Sequence, residues 1–196
     1  KIIKSVNCLQ KKYNNSSIME IGIDEAGRGP MFGRVYSAAV ILPNNDEFKY
    51  ELLKDSKKFT SEKKINEVAE YIKTNALYWS VSYEDEKTID SINIRQATLC
   101  AMHKAIGELI KQNNASANLN INESYYLLVD GNDFKAYTYY CEITNIIKQI
   151  NHILIEGGDN KFCSIAAASI LAKVERDKYI REMCINFPKL NIYYGL

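Results

Sequence analysis

The chain has 196 residues, 46% of them hydrophobic, with 25 basic against 24 acidic side chains and a net charge of +1. That suits one sizeable core in a single α/β or α+β domain, and the balanced charge excludes an overall basic pull toward nucleic acid, so such a role must rest on a local patch. Five widely spaced cysteines without a CxxC pair argue against a disulfide framework or zinc site, and no membrane-length apolar run or signal-peptide pattern is present, so the expected compartment is the cytoplasm.

Residues 1–17 are polar and aperiodic, and are expected to form a loosely attached arm. Ile18 to Ile23 alternate loosely into a Gly/Pro-rich turn, predicting a first strand. Val35 to Leu42 predicts a second strand. The hexapeptide DSKKFT (Asp55 to Thr60) precedes a helix with apolar Ile65, Val68, Ala69 and Ile72, the spacing of one buried face, capped by Thr60 or Ser61. Leu77 to Tyr83 alternates as a third strand. Asn93 to Lys111 predicts the longest helix, and the Asn-rich run from Gln112 to Asn122 a surface insertion. Tyr125 to Val129 is continuous enough in apolar residues to be a central strand. His152 to Ile155 predicts another strand, and a strong helix follows from about Ser164 to Ile185. No internal repeat or interdomain linker is visible, so residues 18–196 read as one domain. Its first residue is Lys1 rather than Met, so the ends, including a truncated C-terminus, are expected to differ from the natural ones.

Three apolar runs end in an acid beside other acids or glycine: Asp24-Glu25, Asp130-Gly131 and Gly158-Asp159. Acids from adjacent strand ends can converge, and converging carboxylates repel unless cations lie between them. Oxygen-rich sites suit hard ions such as magnesium, and a pair of ions can assist phosphodiester hydrolysis. Against this, Asp-Gly and Gly-Asp are ordinary turn pairs. Spacing alone leaves turn chemistry and a metal phosphoesterase equally open.

The longer motifs carry more. IGIDEAGRGPMFG, VYSAAVIL, DSKKFT, LLVDG and GGDNKFCSIAAASILAKVERD, running in that order from Ile21 to Asp177, resemble the ribonuclease HII family. The resemblance implies a ribonuclease H-like fold, a central mixed β-sheet flanked by helices with a helical C-terminal portion. It implies two divalent ions, Mg2+ or Mn2+, held by Asp24, Glu25, Asp130 and Asp159, with Asp177 outside that set and paired to a nearby base such as Arg176 or Lys173. It also implies that Gly27, Arg28 and Gly29 recognise the ribose 2′-hydroxyl, which alone distinguishes RNA from DNA at a given position. Ser56, Lys57 and Lys58 resemble the phosphate-contacting segment. Ser164, with Ser169 and Lys173, could bring the last helix against the nucleic-acid backbone, while Ala166, Ala167 and Ala168 suit close helix–sheet packing. The implied substrates are the RNA of RNA–DNA hybrids and ribonucleotides embedded in duplex DNA, cut by a monomer to leave 3′-hydroxyl and 5′-phosphate ends.

Three features depart from the family pattern. Gly157 stands where bacterial members usually carry a basic residue. The interval from Asp130 to Asp159 is long, suggesting an inserted element around Tyr137 to Gln149. The chain reaches Gly195-Leu196 without the GYGT-like motif whose tyrosine stacks on the junction sugar, and neither Tyr193 nor Tyr194 is assigned that role. His103 and His152 lie outside the motifs and read as surface or satisfied histidines. Two other readings stay open: a type 3 ribonuclease H, for which residues 1–17 are a short extension, and a catalytically weak hybrid-binding module.

Overall fold

A computed structural model describes residues 8–14, 18–114, 125–141 and 144–190. Five strands form the main sheet in the order β3-β2-β1-β4-β7: β1 (Met19–Ala26), β2 (Val35–Ile41), β3 (Tyr78–Glu84), β4 (Tyr125–Asp130) and β7 (His152–Ile155). β1 runs antiparallel to β2 and parallel to β4, β2 runs antiparallel to β3, and β4 runs parallel to β7. This is the mixed sheet the motifs imply. The expected interval after Asp130 holds a separate antiparallel hairpin of β5 (Thr138–Cys141) and β6 (Ile146–Gln149).

Every residue of β2 is buried because both faces of the sheet are covered. Tyr36, Ala38 and Val40 face one core with α1 (Glu62–Asn75) and α3 (Cys163–Asn186). Ala39 and Ile41 alternate to the other face, against Met102, Ile106 and Leu109 of α2 (Glu86–Asn114). In α1 the buried residues are Ile65, Val68, Ala69 and Ile72, as the spacing predicts, and the Ser61 side chain accepts from the Lys64 N–H to cap it. Among the described residues no helix is long and apolar enough to cross a membrane.

Four local differences from the sequence reading have physical causes. β1 continues through Asp24 and Glu25 to Ala26, because pairing with β2 extends to Asp24↔Ala38, Glu25↔Ser37 and Ala26↔Tyr36. α2 starts at Glu86 but breaks at Asn93 (φ 67°, ψ 160°), whose Oδ1 accepts the Gln96 N–H at 3.1 Å and so caps the second half where the helix was expected to begin. Most of the Asn-rich run lies outside the described residues, as do Tyr193 and Tyr194; residues 112–114 continue α2. Finally, residues 8–14 are anchored rather than loose. The Gln10 N–H donates to the Lys161 carbonyl (2.8 Å) and the Cys163 N–H to the Gln10 carbonyl (2.9 Å). Tyr13 stacks on Tyr126 with ring centroids 6.0 Å apart and planes 8° apart.

Candidate active site

The sheet topology decides which acids meet. β1, β4 and β7 run parallel, so their C-terminal ends lie side by side, the edge at which open α/β sheets place ligands. The register Ile23↔Val129 sets Asp24 level with Asp130, the last residue of β4. Asp130 pairs in turn with Ile155 of β7, after which the short turn Gly158–Asn160 carries Asp159. Asp24, Glu25, Asp130 and Asp159 therefore line one open cleft of about 410 Å³, with Gly27, Arg28, Gly29, Ser56 and Lys57 on its walls.

Local hydrogen bonds hold the acids in place. Asp24 is 5% exposed, and its Oδ1 accepts the Glu25 N–H at 2.7 Å. The Ser37 hydroxyl donates to the Asp24 carbonyl at 2.9 Å. Asp130 Oδ1 accepts the Gly158 N–H at 2.6 Å, and a Cβ on Gly158 would stand 3.2 Å from that oxygen and 2.6 Å from Ile165. Gly157 just before it is left-handed (φ 62°, ψ 38°), which accounts for a glycine at this position on backbone grounds. The Asn160 amide donates to Asp159 Oδ1 (3.0 Å) and to Asp55 Oδ2 (3.1 Å), joining the DSKKFT segment to the fourth acid.

The electrostatics are those of a site rich in unbalanced negative charge. Burial, then the charges of Glu25 and Asp130, hold Asp24 well above the usual carboxylate range. Glu25 is raised by burial and by Asp130, and Asp159 by burial and by Asp55 and Asp130. Asp55 is lowered: against burial, the Lys57 N–H and the Asn160 amide stabilise its charge. Like charges confined in this way favour a cation among them. Among the described residues, no three His, Cys, Asp or Glu side chains are grouped closely enough to hold an ion as they stand.

A model of ribonuclease HII matches residues 21–192. The chain belongs to the ribonuclease HII family. Ribonuclease HII of Bacteroides thetaiotaomicron is 42% identical over 176 residues, 90% of this chain and 76% of the relative. That of Porphyromonas gingivalis is 38% identical over 180 residues, 92% of this chain and 78% of the relative. Among solved structures, ribonuclease H2 of Pyrococcus horikoshii shares the fold with a TM-score of 0.67 at 19% identity, over 87% of this chain and 77% of that one. The ribonuclease HII in the PCNA complex of Archaeoglobus fulgidus reaches 0.62 at 26% identity, over 87% and 78%. The protein is thus a ribonuclease H, a hydrolase of the nuclease class, and its fold is the ribonuclease H-like fold implied by its motifs.

Within this ribonuclease HII chain the remaining expected residues separate. Gly27 has φ 105°, and Arg28 lies 3.9 Å from Glu25 Oε1 and 4.0 Å from Asp133 Oδ2. Asp133 is gripped by Arg95 through two contacts of 2.6 and 2.8 Å, a support for Arg28 that no sequence motif announced. Gly29 is exposed, and a Cβ there would meet no atom of the described residues within 4 Å. Ser56 is buried and its hydroxyl bonds Ser169 at 2.9 Å. Lys58 turns its ammonium to the Asn160 side chain instead of lining the cleft.

Ser164 is not in the cleft. It lines a separate cavity of about 200 Å³ with Lys11, Met19, Glu20 and Ile41. The first turn of α3 presses against Gly22, where a Cβ would stand 2.2 Å from the Ser164 carbonyl carbon, so the helix start sits against the middle of β1, short of its acidic end. The cleft is reached one to four turns later by Ser169, Lys173, Arg176 and Asp177. Their spacing of 4, 3 and 1 is one helical stripe, a signal that was present in the sequence. Lys173 and Asp177 pair at 2.7 Å, as expected of Asp177.

Proposed function

We propose that this ribonuclease H is a divalent-metal-dependent endonuclease that cuts the RNA of RNA–DNA hybrids and ribonucleotides embedded in duplex DNA, leaving 3′-hydroxyl and 5′-phosphate ends. The observation that carries the reading is the meeting of four acids with a Gly-Arg-Gly turn on the wall of one cleft. The donor set fits hard cations: it is all carboxylate, and Asp24, Glu25 and Asp159 are raised first by burial and then by neighbouring acidic charge. Asp24, Glu25, Asp130 and Asp159 would hold two such ions, magnesium or manganese. Bound there, they supply the Lewis acidity that activates water and stabilises charge on the phosphate.

The chain's own groups do the rest. Glycines at 27 and 29 let backbone approach a sugar, and none of the described residues crowds Gly29. Arg28 and Lys57 present cationic groups beside the acids for the flanking phosphates. Ser56 acts through Ser169, which hydrogen-bonds Asp24. Lys58 acts through Asn160 on Asp159. All four acids come from one chain, which supports action as a monomer. Among the described residues Cys8, Cys100, Cys163 and Cys184 are free thiols, in keeping with a reducing cytoplasm.

The test is cleavage of a duplex carrying one ribonucleotide, and of a long hybrid, with magnesium or manganese. Asp130→Asn should reduce turnover at least ~1000-fold while substrate affinity changes less than about threefold. Turnover that survives Asp130→Asn would overturn the site assignment, and failure of the parent to cut either duplex would overturn the substrate assignment.

A further inference from the structure

Arg34, the residue before β2, belongs to neither the acids nor the Gly-Arg-Gly turn. Its guanidinium lies between two rings, 4.2 Å from the centroid of Tyr83 on β3 and 4.3 Å from that of Tyr179 on α3. Tyr36 of β2 closes the cluster, its ring 5.3 Å from Tyr83 and 6.2 Å from Tyr179, and its hydroxyl hydrogen-bonds Arg34. The Tyr179 hydroxyl donates to Glu86 at the start of α2. Burial, that hydrogen bond and the Glu86 charge push Tyr179 up to about 12, so it remains a donor at neutral pH. Among the described residues Arg34 Nε is buried without a hydrogen-bond partner, so stacking on the rings joins the Tyr36 hydrogen bond in holding the side chain.

This stack touches the turn at both ends. A side chain on Gly27 would begin 2.6 Å from the Arg34 carbonyl oxygen and 2.8 Å from Arg176 Nε. Arg176 Nη2 donates to the Phe32 carbonyl at 3.4 Å. A Cβ on Gly33 would stand 2.9 Å from Ile180 and 3.8 Å from Tyr179. Between these fixed ends the crest is bare, with Met31 98% exposed. The segment 27–33 is therefore an arch whose footings are Arg34 and the residues stacked on it.

We propose that Arg34, clamped between Tyr83 and Tyr179, is a positioning residue that sets where the Gly27-Arg28-Gly29 turn meets the substrate ribose. The proposal rests on the reading of that turn as a sugar-contacting surface. Arginine suits the role because a planar guanidinium stacks on two ring faces at once, whereas a lysine ammonium is a compact point charge that does not. Through the rings, three elements of the fold (β3, α3 and, by way of Glu86, α2) converge on one side chain at the base of the turn. A shift at this footing would move the turn relative to the acids, and a misplacement of about 1 Å suffices to weaken a positioned contact strongly.

The experiment compares the parent with Arg34→Ala, Arg34→Lys and Tyr179→Phe. Amide hydrogen exchange is followed in the free protein, and KM and kcat are measured on a duplex containing one ribonucleotide. For Arg34→Ala, exchange within 27–33 should quicken about tenfold relative to the sheet, and KM should rise about tenfold with kcat within about threefold. Arg34→Lys should recover only part of both, and Tyr179→Phe, which keeps the ring but loses Glu86, should fall between. Unchanged exchange at 27–33, loosening spread evenly over the sheet, or an unchanged KM would each overturn the proposal. Should Arg34→Ala not fold, the other two variants decide it by the same criteria. A parent that ignores the ribonucleotide defeats the sugar-contact reading instead, while exchange still reports whether Arg34 holds the turn.

Discussion

Replacing Asp24 by asparagine should make the metal-free protein more stable while removing its response to magnesium. Asp24 is 5% exposed, and its carboxyl is raised first by burial and then by Glu25 and Asp130. A carboxyl raised above its unfolded value contributes stability at acid pH, and that contribution is lost as pH climbs through the folded value. Asparagine carries no charge to lose. Its Oδ1 can keep the Glu25 N–H bond, and its amide can donate to Ser169, which already bonds the carboxylate. Relief of buried active-site charge typically gains about 1–2 kcal/mol. At ~2–4 °C per kcal/mol for a chain of this length, the melting point at pH 8 in EDTA should rise by about 2–8 °C. At pH 5 the gap should shrink. Saturating magnesium at 100 times Kd should stabilise the parent by ~2.7 kcal/mol and the variant far less, reversing the order. Thermal melts at two pH values, with EDTA or magnesium, suffice. A variant less stable than the parent at pH 8 in EDTA, or one with the same magnesium shift, would refute the reasoning.

Other outcomes follow from the same geometry. Gly158→Ala places a Cβ 2.6 Å from Ile165 and 3.2 Å from Asp130 Oδ1, so it should cost about 1–3 kcal/mol by overpacking, read as a lower melting point and weaker magnesium binding. Gly29→Ala meets no atom of the described residues within 4 Å. It should leave stability within about 0.5 kcal/mol, yet raise KM for a ribonucleotide-containing duplex; an unchanged KM would remove Gly29 from the substrate surface. On the proposed ligand set, magnesium affinity measured calorimetrically should rise from pH 6 to pH 8 with proton release, because the raised carboxyls Asp24, Glu25 and Asp159 would have to ionise to bind it. Affinity independent of pH would contradict those shifts.

Local pattern made several parts of this fold legible. The period of Ile65, Val68, Ala69 and Ile72 located the buried face of α1, and the apolar run of Tyr125 to Val129 located a central strand. What local pattern could not supply was adjacency. Asp24, Asp130 and Asp159 meet only because β1, β4 and β7 pair in parallel, and parallel pairing is a long-range fact. The end of β1 was misplaced for a related reason: an acid looks like the end of a strand until its partner across the sheet is known. Ser164 was expected at the cleft because helix N-termini attract phosphate, but Gly22 draws that turn against β1 and leaves the cleft to later turns of α3. The support of Arg28 by Asp133 and Arg95, like the stacking of Arg34, joins residues too distant in sequence for any motif to record.

The central place of β1 has a consequence for the order in which a new chain gains its reactive parts. Asp24 and Glu25 are the first of the four acids to be translated, Asp159 follows 135 residues later, and α3, which packs across β1, later still. At ~5–20 residues per second this is a delay of about 7–27 s. Until β4 is made, 106 residues after Asp24 for its last residue, β1 and β2 can pair as a hairpin while the strand on the other side of β1 is missing and only two of the four acids exist. On the proposed assignment of the acids, a nascent chain of this topology therefore lacks its complete site until Asp159 and α3 have followed β1.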